Sequence, residues 1–279
     1  MNFYENLVHL AGNNFYQYSY IYQRGQAPVE VSERDKSVPY EEKIAKIADA
    51  IRDAEAIVVG AASGLSTAAG QDFYYESTPT FKKYFGKYGE KYGFRGAFDG
   101  VYYPYRTREE FWGFLIALLH LDIHAPAGQA YYDLDAILRG KNFYVITTNQ
   151  DTQFNRLYPE DKISAIQGDT RFFQCSKACR DEVVDAQETI DRLFEAIDDD
   201  LRVPTDMIPR CPHCGAEMTW WVRGTRFLEG TKYHGEYDKA AAFISANKKQ
   251  KNPFPGARCR PHDAYVYSGA ILESDLKSA

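Results

Sequence analysis

Polar and apolar positions along the chain alternate between helical and strand-like runs. Pro39 opens a segment in which Ile44, Ile47, Ala48 and Ile51 recur at helical spacing, predicting an amphipathic helix. Ala56–Gly60 is a short apolar run ending in glycine, which predicts a buried strand leading into a turn of small residues. Thr107 and Glu110 have the spacing of a capping box for a helix carrying Phe111, Phe114, Leu115, Leu118 and Leu119. Its apolar stretch, Phe111–Leu121, is too short to span a bilayer and reads as a buried helix. Phe143–Thr147 predicts a second strand, followed by the polar string Thr148-Asn149-Gln150-Asp151. Asp181–Asp200 predicts an acidic surface helix, and residues 1–38, polar and tyrosine-rich, an N-terminal extension. A helix, a buried strand and then a glycine-rich turn is how an open α/β nucleotide-binding sheet begins.

Composition narrows this picture. A chain of 279 residues, 44% hydrophobic and 15% aromatic, holds one large domain or a core domain with a smaller insertion. A formal charge of −6 argues against a nucleic-acid partner, which would call for a basic stripe. Met1–Leu10 lacks the basic start and apolar core of a secretory signal, and no membrane association is expected. Five cysteines in that setting predict a reducing, cytoplasmic compartment, where paired cysteines more often hold metal than form disulfides.

Three groups of residues carry candidate chemistry. The run Gly60-Ala61-Ala62-Ser63-Gly64-Leu65-Ser66-Thr67-Ala68-Ala69-Gly70 follows a strand. Small residues there let backbone approach a pyrophosphate, although the same residues also suit a tight strand-to-helix packing turn. Cys175-x3-Cys179 and Cys211-x2-Cys214 supply two pairs of soft ligands for a tetrahedral zinc, with Gly215 free to take positive φ; unrelated buried thiols are the alternative. Such a site is closed, so its metal would be structural; His213, inside the second knuckle, is expected to face solvent. Asn149 and Asp151 follow an apolar strand, where the carboxyl end of an open sheet meets ligand, and Gln167-Gly168-Asp169 comes before the first cysteine pair. Turn chemistry explains these residues equally well.

The order of a glycine-rich turn, Thr-x-Asn-x-Asp, x-Gly-Asp and two cysteine pairs resembles the sirtuins over about Ala56 to Gly230. More narrowly it is similar to the bacterial macrodomain-linked, or class M, sirtuins. Gly64-Leu65-Ser66 with Ala69-Gly70, Phe85–Phe98, Tyr102–Trp112, Thr147–Phe154 and Gln167–Cys175 carry that likeness. The resemblance implies a Rossmann-like open parallel sheet with a small zinc-binding domain inserted. The NAD-binding domain would span 39–165 and 223–251, and the zinc-binding domain 166–222. It implies NAD as co-substrate and one structural zinc on Cys175, Cys179, Cys211 and Cys214. Gly60, Ala61, Gly64, Leu65, Ser66 and Gly70 would cradle the phosphates, with Thr148, Asn149, Asp151 and Gln167 toward nicotinamide and ribose. Asn149 and Gln167 would be the catalytic pair.

Two departures from the common sirtuin pattern bear on the chemistry. The position before Gly168, a histidine in most sirtuins, is Gln167 here. A neutral amide takes up no proton near pH 7, so Gln167 orients a hydroxyl or acceptor and cannot be a general base. Asp72-Phe73-Tyr74 stands where ordinary sirtuins have Asp-Phe-Arg, and Tyr74 and Tyr75 are expected to pack in the core before lining a pocket. Class M sirtuins share the glutamine and act as ADP-ribosyltransferases on a lipoylated carrier protein. The resemblance therefore implies mono-ADP-ribosyl transfer to a protein substrate ahead of NAD-dependent lysine deacylation, and a macrodomain partner.

The last segment does not fit. Asn252–Ala279 opens with two close prolines, which resist a central strand. Read in the neighbouring frame with permitted codons, it spells ILFLELGVGRMTPMFIQEPFWSLT and then a stop across Leu276 and Lys277. That is an apolar strand followed by Gly-Val-Gly, as the family's last strand requires. Asn247–Lys251 needs adenine-rich codons, a natural place for a one-base slip. A frameshift at or just before Asn252 is expected, making 252–279 an out-of-frame tail, Cys259 an accident, and the literal chain weak or inactive.

Overall fold

The computed structural model describes residues 38–247, so the N-terminal extension, the tail from Asn252 and Cys259 lie outside the described residues. Helix α1 (Tyr40–Asp53) starts behind Pro39, with Glu41 and Glu42 in its first turn and Arg52 in its last, each complementing the helix dipole. Strand β1 (Ile57–Ala61) runs into the short helix α2 (Ser63–Ala68). Then come α3 (Pro79–Tyr92), α4 (Ala97–Val101), α5 (Arg108–His124) and α6 (Gln129–Leu138) before β2 (Phe143–Thr147) and β3 (Ile163–Ala165). These three strands form a parallel sheet in the order β1-β2-β3, with Ile57 opposite Phe143 and Val145 opposite Ile163.

A second sheet follows. Strands β4 (Gly168–Cys175), β5 (Val183–Asp185) and β6 (Met218–Val222) pair antiparallel in the order β5-β4-β6, with helix α7 (Gln187–Glu195) between β5 and β6. A register shift between Asp169 and Phe173 bends β4 against β6. Helix α8 (Thr231–Asn247) then returns to pack on β3 and β2. The change from the parallel to the antiparallel sheet falls between Ala165 and Gly168.

From Trp112 to Leu119 helix α5 is buried on every side, which matches its unbroken apolar run there. Its Leu115, Ile116 and Leu119 join Phe173, Ile190 and Met218 in one core cluster. Its Phe114, Ala117, Leu118 and Leu121 join Phe73, Phe81, Phe85 and Tyr88 in another. By composition and length Arg108–Leu138 would pass as a bilayer span, but most of its apolar window is buried inside the molecule, as in a core helix. The expected capping box is half formed: the Thr107 hydroxyl accepts from the Glu110 N–H at 3.3 Å, while Glu110 reaches back to the N–H of Arg106.

Two expectations need revision. Residues 181–200 are not one surface helix. Val183 and Val184 are β-branched and extend β5 along β4, so the helix is confined to Gln187–Glu195, and its Ile190 and Leu193 are fully buried. Helix α1 is where the 3.6-residue spacing puts it, yet none of its residues is buried. Ile47 is 54% exposed, and Val58 on β1 is 44% exposed. The reason is topological. Among the described residues β1 is a sheet edge, and an open apolar groove of about 470 Å³ lies between it and Ile47, Ala50 and Ile51 of α1.

Candidate functional site

The carboxyl ends of β1 and β2 are tied together, since the Thr148 N–H donates to the Ala61 carbonyl at 3.0 Å. This brings the glycine-rich turn beside the polar string, at the end of a parallel sheet where ligands bind. Ser66 lies on α2 and is buried; its hydroxyl donates to Asp151 Oδ2 at 2.5 Å. The same hydroxyl lies 3.2 Å from the Tyr131 hydroxyl, which accepts from Asn149 Nδ2 at 3.1 Å. Gln153 completes the network, with its Nε2 donating to Asp151 Oδ2 at 3.1 Å and its Oε1 accepting from the Gly128 N–H at 2.7 Å. Ser66, Asn149 and Asp151, singled out from sequence in separate segments, therefore share one hydrogen-bonded cluster.

Gln167 sits at the same end. The Ile166 N–H donates to the Thr147 carbonyl at 3.0 Å, extending the β2–β3 alignment up to Gln167. The Gln167 carbonyl accepts from Gln150 Nε2 at 3.2 Å and from the Arg223 N–H at 2.9 Å. Gly168 must be glycine: its φ is +87°, and a Cβ there would come within 2.1 Å of the Trp221 carbonyl oxygen. That close approach pins Gln167 against β6 while its side chain remains half-buried.

Gly60, Ala61, Gly64, Leu65, Ser66 and Gly70 are contiguous around the β1–α2 turn. Gly64 and Gly70 face open space, where an added Cβ would meet nothing within 4 Å, and Gly70 has φ +94°. The next residue, Gln71, is buried with its Oε1 carrying no hydrogen-bond partner among the described residues. An unfilled acceptor beside small residues with free space on one side fits a polar ligand laid along this turn.

Sequence reading missed the residues that brace the site from α5 and α6. Tyr131 is fully buried, and burial, then the Asp151 charge, raises its phenol above the ordinary range. Asp122 is the one acid at a buried position of α5. Burial pushes its carboxyl well above the usual carboxylate range, although the Tyr74 hydroxyl donates to it. Tyr74 thus packs against Phe73 while its polar end is spent on Asp122. The Asp122 carbonyl in turn accepts from Thr152 Oγ1 at 2.8 Å and from the Arg156 guanidinium. The only sequence signal for this support was a lone acid at the end of an apolar helix.

The four cysteines meet. Cys175 and Cys214 sulfurs are 3.5 Å apart, Cys179 and Cys211 sulfurs likewise, and all four lie within 4.8 Å of one another. Gly215 has φ +69°, as the knuckle requires. Burial raises the Cys175 thiol, but N–H groups from Cys179 and Lys177 outweigh it and bring it down to about 6. The Cys214 and Cys211 sulfurs, with smaller contributions from burial and Cys175, push Cys179 up to about 12. A divalent cation is what lets all four ionise together, and four clustered soft donors fit zinc. His213 stands outside the quartet, its Nε2 2.6 Å from a Glu182 carboxylate oxygen.

No family model matches the chain. It is 32% identical over 209 residues to a protein ADP-ribosyltransferase of Staphylococcus aureus, the alignment covering 72% of this chain and 64% of that one. It is 27% identical over 214 residues to a probable bifunctional ADP-ribose hydrolase/ADP-ribosyltransferase of Fusarium oxysporum, covering 72% of this chain and 35% of that one. The chain thus spans just under two thirds and about one third of these relatives. A solved Sir2 homolog–NAD complex aligns with a TM-score of 0.45 at 17% identity, over 72% of this chain and 68% of that one. A complex of a mutant Sir2 homologue with ADP-ribose aligns with a TM-score of 0.43 at 14% identity, over 71% and 69%. The motif order and the clustered thiols are those that the resemblance to the sirtuins implies. In sequence it is similar to relatives named for ADP-ribosyl transfer.

Proposed function

We propose that this protein cleaves NAD and transfers its ADP-ribose to a protein acceptor, with a lipoylated carrier protein as the substrate. The observation that supports this reading is Gln167, whose carbonyl accepts from Gln150 Nε2; by the family resemblance it takes the position of the general base, where an amide accepts no proton. Its likeness to a relative named protein ADP-ribosyltransferase supports the same reaction.

In this reading the β1–α2 turn from Gly60 to Gly70 holds the phosphates. Thr148, Asn149 and Asp151 set the ribose and nicotinamide end, and Gln167 orients the incoming acceptor. NAD supplies a labile nicotinamide–ribose bond; it breaks with its electron pair going to nicotinamide, which leaves, and the acceptor's nucleophile bonds to the ribosyl carbon, its proton being released to bulk solvent at the mouth of the site. The chain's contribution is positioning and exclusion of water. The cysteine quartet holds a structural zinc that stiffens β4 and β6 behind Gln167. A partner of the macrodomain kind, which removes ADP-ribose, is its counterpart, and a reducing, cytoplasmic compartment suits its free thiols.

The test is incubation of the chain, with its present tail and with the tail in the alternative frame, with labelled NAD and a lipoylated carrier. Label on the carrier is the expected result. Turnover of acyl-lysine peptide with no labelled carrier would assign the chain to the deacylases. Absence of both activities, with no thermal stabilisation by NAD, would mark it as an inactive relative.

A further inference from the structure

Helix α5 ends in a second group of metal-ligating side chains, separate from the thiolate quartet. His120 and His124 stand four residues apart on one face of the helix, and Asp191 of α7 faces them. The His124 Nε2 lies 2.6 Å from Asp191 Oδ1, the His120 Nε2 lies 3.9 Å from the same oxygen, and ligand atoms of all three lie within 4.8 Å of one another. We propose that His120, His124 and Asp191 form a divalent transition-metal site that clips α7 to α5, with water completing the coordination.

The geometry needs little change. Metal–nitrogen bonds of roughly 2.0–2.1 Å place tetrahedral ligands about 3.3 Å apart. One of the present separations must open slightly and the other close slightly. A further observation favours a metal over a simple ion pair. The His120 ring is fixed, stacked on Phe194 at 3.7 Å between centroids with the planes 2° apart. His124 also lies in the last turn of α5, where the helix dipole favours a cation. Two imidazoles and a carboxylate suit zinc, nickel or cobalt. Because α7 belongs with the antiparallel sheet and α5 with both cores, an ion here would fasten one to the other.

The experiment is equilibrium dialysis of the full chain against excess free zinc, with zinc counted per chain, beside visible spectra of parallel samples dialysed against cobalt. Wild type should hold two ions, one with the sulfur-to-cobalt charge-transfer band of the thiolates and one with only the visible bands of nitrogen and oxygen ligands. The double variant H120A/H124A should hold one, keeping the thiolate band. Asp191→Asn, at a half-buried position, should weaken the second ion at least tenfold with the thiolate band intact, and it serves if the double variant does not fold. One ion in wild type, or two in wild type and variants alike, would overturn the site.

Discussion

The hydroxyl of Ser66 and the carboxylate of Asp151, 85 residues apart in sequence, meet at 2.5 Å inside the protein. This contact joins the turn after β1 to the string after β2. Asp151→Ala should therefore do two things. It leaves Ser66 and Gln153 without their shared acceptor, at a cost of about 1–3 kcal/mol. It should also abolish the thermal shift produced by NAD. Differential scanning fluorimetry with and without NAD reads both; an undiminished NAD shift would separate Asp151 from the ligand.

Gly168→Ala should be far more damaging than glycine-to-alanine changes usually are. The left-handed backbone alone costs about 1–3 kcal/mol for a residue with a side chain, and the new Cβ would strike the Trp221 carbonyl oxygen. Urea unfolding should show the loss, whereas Gly64→Ala, with open space around it, should unfold nearly as wild type while impairing NAD binding.

Cys211→Ser should release the zinc and destabilise the whole fold, because binding energy at a closed thiolate site is folding energy. A colorimetric zinc assay with far-UV circular dichroism tests this. Retained metal with unchanged structure would count against a four-thiolate site.

Asp122 makes stability depend on pH in a defined direction. Its folded carboxyl is raised above its unfolded value, so the stability it contributes is full below the ordinary carboxylate range and is lost as pH rises toward the raised value. Asp122→Asn keeps an acceptor for Tyr74 and cannot ionise. It should therefore be more stable than wild type at neutral pH, with the difference shrinking as pH falls to about 4. Parallel urea-unfolding curves from pH 4 to 8 would remove Asp122 from this role.

Returning the tail to its alternative frame should stabilise the chain by several kcal/mol, on the scale of losing a buried strand. Helix α8 ends at Asn247, whose side chain accepts from Asn142, and the Asn142 carbonyl accepts from the Ile57 N–H at the start of β1. A strand leaving that point has before it the groove under α1 and the edge of β1, which is unpaired among the described residues. Sequencing codons 245–260 and melting both versions tests this; equal melting temperatures, or no single-base route to the second frame, would reject it.

The sequence was most legible where one residue type enforces one conformation or one chemistry. Two close cysteine pairs and Gly215 specified the thiolate cluster, whereas Gln167-Gly168-Asp169 read equally well as turn chemistry, because the approach of Gly168 to the Trp221 carbonyl exists only once β4 pairs with β6. Ser66 and Asp151 could be singled out but not paired, because their contact depends on the parallel alignment of β1 with β2. Tyr131 and Asp122 left almost no trace, since a buried hydroxyl and a buried acid are defined by their surroundings. Val183 and Val184 were hidden among acidic neighbours, and only pairing with β4 made a strand of them.

Helix α5 puts alternate sides of one rod into two different cores. Heat or denaturant should consequently meet a single cooperative unit, with one calorimetric peak covering both sheets. Stripping zinc should then lower the temperature at which the β1–β2 end melts, although no cysteine comes near it in sequence.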